Sequence, residues 1–519
     1  TSTTATIDGL ATTARTLRAA SLIVTATDNS AIRVRALGAS LAGSAGGTAG
    51  VAVSIGLALA FNSLDLVTSA TVRSSAVTTT TGAVLVSAIT APPTGASLVL
   101  GALGADPASA LDNAATATPN DPTTSADESA IDAVADGVRA AALTAAVSAA
   151  TGWTPQAGAS RVVTTVRPGE AWQLTVGQDT FLVTKVVGPA GTSYAVGRPS
   201  IDALAIAASF AATFGGTAGI AVSGAGAYAR NDVRGSTSAL VESSTVGSAT
   251  SVTVSASSVA TISAAIVGAS VAIGGGGTTG IGVSIGIAIA DNHIGGTRGG
   301  TPGPLTVSAL VLRSSVTTPA ALVVSATAQQ QIVAMVIAAS AAIAAGGVVG
   351  VGASGAGAAS MNTIVSDVTA SIDGNGLAAG PPVINAGSTT VTALDRSTIR
   401  TLTLGASIAA AFAGTAAVAL SIGVSVALNT IDTAVTSRLA DVSVTGGAGR
   451  AVQVTADRSA VIDSLAVAAS LAASASGVVA GSIAGAGAAA TNVILTRTTA
   501  TIANASVGSV STPMGSVTV

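Results

Sequence analysis

A single histidine, His293, stands in a chain of 519 residues that holds no cysteine. Imidazole and thiolate are the side chains best suited to move protons or bind metals near neutral pH. Chemistry that depends on them therefore has little to draw on. Three triplets, Asp28-Asn29-Ser30, Asp395-Arg396-Ser397 and Asp457-Arg458-Ser459, place a carboxylate two residues before a hydroxyl. A serine nucleophile needs an imidazole base, and His293 lies in a different segment. The triplets recur at the spacing of a repeat, which points to turns where carboxylate and hydroxyl satisfy backbone groups. Asp132 and Asp136 share one face of a predicted helix and read as solvated surface. The Gly-rich stretches lack the basic and acidic partners of a phosphate loop, and acidic residues are too sparse for calcium-binding repeats. No catalytic residue, cofactor or metal is expected.

Composition narrows the class further. Charged residues make up 8% and aromatic residues 2% of the chain, while 49% is hydrophobic. Globular proteins carry roughly a quarter charged residues. A net charge of −3 offers no basic surface for nucleic acid. The chain begins at Thr1 without a signal peptide, as a mature product or an excerpt would.

The element that organises the chain is "VAVSIGLALAFN", residues 51 to 62, inside a charge-free run from Leu37 to Phe61. Such a run is long enough to cross a bilayer as a helix. Its large residues, however, fall on every second position, from Val51 to Phe61, with Ala52, Ser54, Gly56, Ala58 and Ala60 between them. Period two places all large side chains on one face of a strand, whereas a helix would scatter them. Neither aromatic girdles nor a polar lumen are visible, so a transmembrane barrel is not indicated. Strands are predicted, membrane spanning is not, and the small face is expected to be covered by the next layer.

The same strand recurs, each time ending at an asparagine: Asn62, Asn231, Asn292, Asn362, Asn429 and Asn492. The last four intervals are 61, 70, 67 and 63 residues, and the first is 169, one period plus an insertion. Each copy has a small-residue strand, a Gly-rich turn, the alternating strand, a tail such as "RSSAV" (73–77), and a short closing strand such as "VLVSA" (84–88). The copies alternate in kind. Ile55 and Leu57, Ile285 and Ile287, Ile422 and Val424 give way in the intervening copies to Gly224 and Gly226, Gly355 and Gly357, Gly485 and Gly487. Large residues facing those packing glycines would interdigitate. The asparagines are expected to form a structural turn ladder. Residues 3–26 resemble 498–519, so the array is expected to continue beyond both ends.

Residues 1–90 and 201–519 thus form an all-β repeat array, β-solenoid-like or of stacked hairpins, with a Gly/Ala/Ser core. A period of this length exceeds one coil of a simple solenoid, so two or three coils per repeat, or a hairpin with two short strands, are anticipated. Residues 91–200 differ. A capping box at "SADE" (125–128) predicts a helix over 127–149, and strands are predicted over 161–166, 170–176, 180–187 and 191–197. In this small α+β insertion Trp153, Trp172 and Tyr194 are either an aromatic platform for a glycan or protein, or the module's own core.

The Gly/Ala strand pair, the terminal Asn, and the S-x-V and V-x-V-x-A pieces resemble the repeats of giant secreted bacterial surface proteins. These are the filamentous-haemagglutinin-like and leukotoxin-type filamentous adhesins. The resemblance covers all but the insertion and implies an extracellular, elongated, β-rich stalk, filament or adhesin. This chain is poorer in lysine and polar residues than that family, with Lys185 its sole lysine, so lateral or end-to-end self-association is expected of its apolar exterior.

Overall fold

The computed structural model describes residues 1–9, 15–92, 161–164, 171–176, 179–188, 191–197, 200–298, 301–374, 380–445 and 447–519. Among them every regular element is a strand. Twelve long strands carry the array: β1 (Ile32–Gly46), β2 (Ala49–Arg73), β3 (Ile201–Gly215), β4 (Ala218–Glu242), β5 (Val252–Gly276) and β6 (Thr279–Ile294). They continue as β7 (Ser315–Gly346), β8 (Val349–Asp373), β9 (Val383–Ala413), β10 (Ala416–Ala440), β11 (Gly447–Ser476) and β12 (Val479–Ala503). Odd strands lie in a fourteen-stranded sheet and even strands in an eight-stranded sheet, every pairing within each being parallel. The chain crosses from one sheet to the other at each Gly-rich turn and returns at the far end, which is a β-solenoid with two long sides.

One repeat is therefore one coil, not two or three, and hairpins are ruled out by the parallel pairing. The reason is strand length: β2, β4, β8, β10 and β12 are each 25 residues long. The short closing strand of each unit and the small-residue strand of the next are one continuous element, as in β5, where Val252 begins what Gly276 ends. In the first coils that element is interrupted. Residues 84–90 and β3 pair with the two parts of β5, Val252–Ser258 and Ile262–Gly276, so the insertion leaves a strand in mid-course without breaking the ladder.

Register is fixed by like residues stacking on like. Asn62, Asn231, Asn292, Asn362, Asn429 and Asn492 occupy one row, and Ile201, Ile262, Ile332, Ile399 and Ile462 another in the opposite sheet. The asparagines are not strand ends or turns; each sits within its strand, and the chain runs on past it. Their amides form a head-to-tail series, with Nδ2 of each donating to Oδ1 of the next over 2.7–2.8 Å. A buried amide left alone would cost about 1–3 kcal/mol, so position and partner go together.

This row divides every coil. In β2 the inward positions are Ala52, Ser54, Gly56, Ala58 and Ala60 before Asn62, and Leu64, Leu66, Ala70 and Val72 after it. Toward the Gly-rich turns the sheets close on one another until backbone meets side chain. A Cβ built on Gly56 would overlap the Ala208 carbonyl, and one on Gly286 the Ala339 carbonyl. Serine hydroxyls bridge the sheets within each of five coils: Ser40–Ser54, Ser209–Ser223, Ser270–Ser284, Ser340–Ser354 and Ser407–Ser421, at 2.6–2.8 Å. Beyond the asparagines the interior widens to take Val, Leu and Ile. The small face is thus covered by the opposite sheet of the same array.

The "RSSAV" tail is the far corner of the coil. Ser74, Ser243, Arg313, Asp441 and Asn504 adopt left-handed backbone there, with φ of 48–53°. In three of these corners the next serine, Ser75, Ser244 or Ser314, donates its hydroxyl to the carbonyl two residues earlier at 2.8 Å. Glu242 joins Arg73 and Arg313 of the neighbouring coils across this partly exposed edge.

Of the insertion, strands at residues 161–164, 171–176, 179–188 and 191–197 form an antiparallel sheet of their own. These match the strands expected there. The helix expected over 127–149 lies outside the described residues, as does Trp153. Trp172 and Tyr194 are placed on the second and fourth of these strands.

Candidate functional site

Because the inner side of each coil near the Gly-rich turns is filled by small residues, chiefly Ala, Ser and Gly, the large residues of the alternating pattern point outward. Ile55 is 72% and Leu57 61% exposed, and on the other sheet Leu41 is 79% exposed. The usual arrangement, large side chains inside, is inverted in this half of the coil and normal in the other. At Asn62 the phase switches: outward positions pass from Val51, Val53, Ile55, Leu57, Leu59 and Phe61 to Ser63 and Asp65. Both outer faces of the thin half are apolar and free of charge, the side-chain pattern that marks interaction surfaces rather than solvated ones.

The six glycines expected to pack against large residues lie on this outer face. In register they stand beside them, Ile55 next to Gly224 next to Ile285 next to Gly355, and Leu57 next to Gly226 next to Ile287 next to Gly357. They are not packed. A Cβ at Gly224, Gly355, Gly357, Gly485 or Gly487 would meet nothing within 4 Å, and at Gly226 only the tip of Leu57 at 3.1 Å. The glycines that do pack, Gly38, Gly56, Gly268, Gly286, Gly405 and Gly423, are inward and invariably abut the opposite backbone. The outer face of the other sheet is built differently: Ala39, Ala208, Ala269, Ala339, Ala406 and Ala469 form one unbroken row. Nearer the turns, Phe214 and Phe412 flank an open trough of about 1010 Å³ floored by Gly275 and Ala345.

Charge gathers at the border of the apolar half. Arg230 lies 3.2 Å from Asp232 and 3.8 Å from Asp291, His293 Nε2 is 2.6 Å from Asp291, and Tyr228 tilts against Phe61 with ring centroids 5.5 Å apart. Burial works to raise the Asp291 carboxyl, but the His293 and Arg230 partners outweigh it and hold it below the usual range. Burial, with the Asp291 charge, pushes the Tyr228 hydroxyl up. Arg234, 3.3 Å from Asp232, adds a second guanidinium to face the two carboxylates, and the described residues hold no cluster of three metal-ligating side chains. Its chemistry is that of an ion-paired rim.

The Asp-x-Ser triplets are not all turns, for Asp395 and Asp457 lie inside β9 and β11. Asp395 is wholly buried, its carboxyl hydrogen-bonded by Ser366 at 2.9 Å and Ser397 at 2.7 Å, with the Arg458 charge beyond. Burial dominates and raises its pKa to about 6. A folded-state pKa above the unfolded value adds stability at low pH that is lost as pH rises through it. Asp395 is therefore expected to cost about 2 kcal/mol between pH 4 and pH 6, the larger part of the roughly 3 kcal/mol that a full shift from 3.8 to about 6 represents. Asp395→Asn should remove that slope. Urea midpoints of both chains from pH 4 to 7 should diverge, with the variant the more stable at pH 7; parallel curves would refute the assignment.

No protein-family model, curated protein or solved structure matches this chain. Among the described residues no helix is long and apolar enough to cross a membrane.

Proposed function

We propose that this chain is a structural repeat protein that associates with copies of itself into a filament, sheath or stalk on the outside of a cell. The observation that carries the reading is the inverted half-coil, which leaves both outer faces of the array apolar over the rows from Val51 to Leu59 and from Leu37 to Ala45. Free monomers would hold this surface against water at roughly 25 cal/mol per Å². The resemblance to secreted filamentous adhesins supports the extracellular setting. Detergent-free material examined by negative-stain electron microscopy should show rods or fibres. Compact particles dispersed only by detergent would overturn the reading.

A second reading, an adhesive branch on this scaffold, draws on the way the insertion leaves the sheet. Between Ser258 and Ile262, β5 runs through three residues, and Ala91, Pro92 and Ser200 would span the same gap if residues 93–199 were removed. The shortened chain should keep its strand content by circular dichroism and still assemble. Loss of cell or glycan binding alone would assign that role to the insertion.

A further inference from the structure

Resting on the self-association reading, we infer that the partner of the eight-stranded sheet is a second copy of the same face, set one strand out of step. The outer face of this sheet is unpartnered, and its width fits such an occupant. Six strands at ~4.8 Å and eleven residues at ~3.3 Å give a plane of about 1,000 Å², against about 800 Å² per partner in a standard stable interface. The relief of the face then selects the partner. Across the strands, Ile285 and Ile287 rise between the glycine pairs of β4 and β8, and Ile422 and Val424 between those of β8 and β12. Knobs and pits alternate strand by strand, so both repeat at two strand spacings, ~9.6 Å.

A surface with that period is complementary to itself. Turning one copy face down about an axis that crosses the strands, and sliding it by one strand, sets knob against pit on the five strands of each copy that overlap. Five of the six glycine positions are open, with nothing within 4 Å of a built Cβ, and at Gly226 only the tip of Leu57 comes near. Buried in this way, isoleucine and leucine side chains would interdigitate as dry facing sheets do, and mid-strand glycine, which otherwise weakens a strand, gains a reason for its place. A lipid surface would use the same apolarity but has no use for the alternation. The alanine row of the other sheet has no such period and is not assigned this partner.

Sedimentation equilibrium of the full chain across a concentration series tests this. The triple variant Gly224→Leu, Gly355→Leu and Gly357→Leu fills pits on an exposed face, and circular dichroism checks that it folds. It should weaken association by about 100-fold, the loss of a few interface anchors. Ala339→Leu with Ala406→Leu on the opposite sheet should leave association unchanged. Replacing the knobs of β2, β6 and β10 by glycine should weaken it also, and mixing that variant with the pit-filled one should restore it. A pit-filled chain that associates like the parent, or a loss seen only with the alanine-row variant, would overturn the inference while self-association stands. A parent chain that remains single at all concentrations, or that instead floats with phosphatidylcholine vesicles, would overturn both.

Discussion

Gly286→Val is expected to unfold the middle coils of the array or cost at least about 3 kcal/mol, at the upper end of overpacking penalties. The reason is local. A Cβ at Gly286 would overlap the Ala339 carbonyl oxygen and stand 3.0 Å from its carbon and 3.2 Å from the Gly268 oxygen. Those atoms are backbone of the opposite sheet, held by hydrogen bonds on both sides, so they cannot swing away as a side-chain tip would. Gly357→Val makes the matched control. It sits in the adjacent strand, one row over, with nothing within 4 Å of its Cβ. Replacing mid-strand glycine there should be neutral or slightly stabilising in the unassociated chain. Urea denaturation of the two variants should differ in midpoint by a margin visible without curve fitting. Equal midpoints would mean that the sheets are not in the contact described.

The second large effect concerns the amides. Asn292 is fully buried, accepts from Asn231 at 2.7 Å and donates to Asn362 at 2.8 Å. Asn292→Ala strands one donor and one acceptor in the interior at about 1–3 kcal/mol each, so a loss of about 2–6 kcal/mol is expected. Asn292→Asp keeps an acceptor for Asn231 but cannot donate to Asn362, and should fall nearly as far. Asn492 ends the series on an exposed strand, and its replacement by alanine should cost under about 1 kcal/mol, as at a solvated site. Since each coil touches only its neighbours, the damage at Asn292 should be local. Hydrogen exchange should show lost protection in β4, β6 and β8 before the outer coils. Uniform loss along the chain, or none, would contradict a ladder that carries stability coil by coil.

Much of this architecture could be read from residues 51–62 alone. Alternation there announced a strand, its recurrence announced the array, and the large–glycine exchange between Ile55 and Gly224 anticipated which rows would be neighbours. What the alternation could not convey is which face is inside. That depends on how far apart two sheets lie, a property of no single strand, and the ordinary rule that large residues go inward points the wrong way. A signal was present in the change of phase at Asn62, after which Leu64, Leu66 and Val72 occupy the parity that Ala58 and Ala60 held before. Taking Asn62 as a strand end concealed it and made one long coil look like several short ones. The buried Asp395 was equally hard to see, because an Asp-x-Ser triplet has the same appearance at a turn and within a strand.

The amide series also has a direction. Asn62 donates to the next asparagine but accepts from none, and Asn492 accepts from its neighbour but donates to none. The stack is thus a vector, and its two ends are chemically unlike, one offering an oxygen and the other an N–H group. Another copy could prolong the series only by bringing its Asn492 end to an Asn62 end, or the reverse. Growth along the axis by this means would be head to tail, and a fibre built so would have distinguishable ends. Pairing through the sheet faces, as proposed above, would carry no such sense of direction and would draw on a separate set of residues.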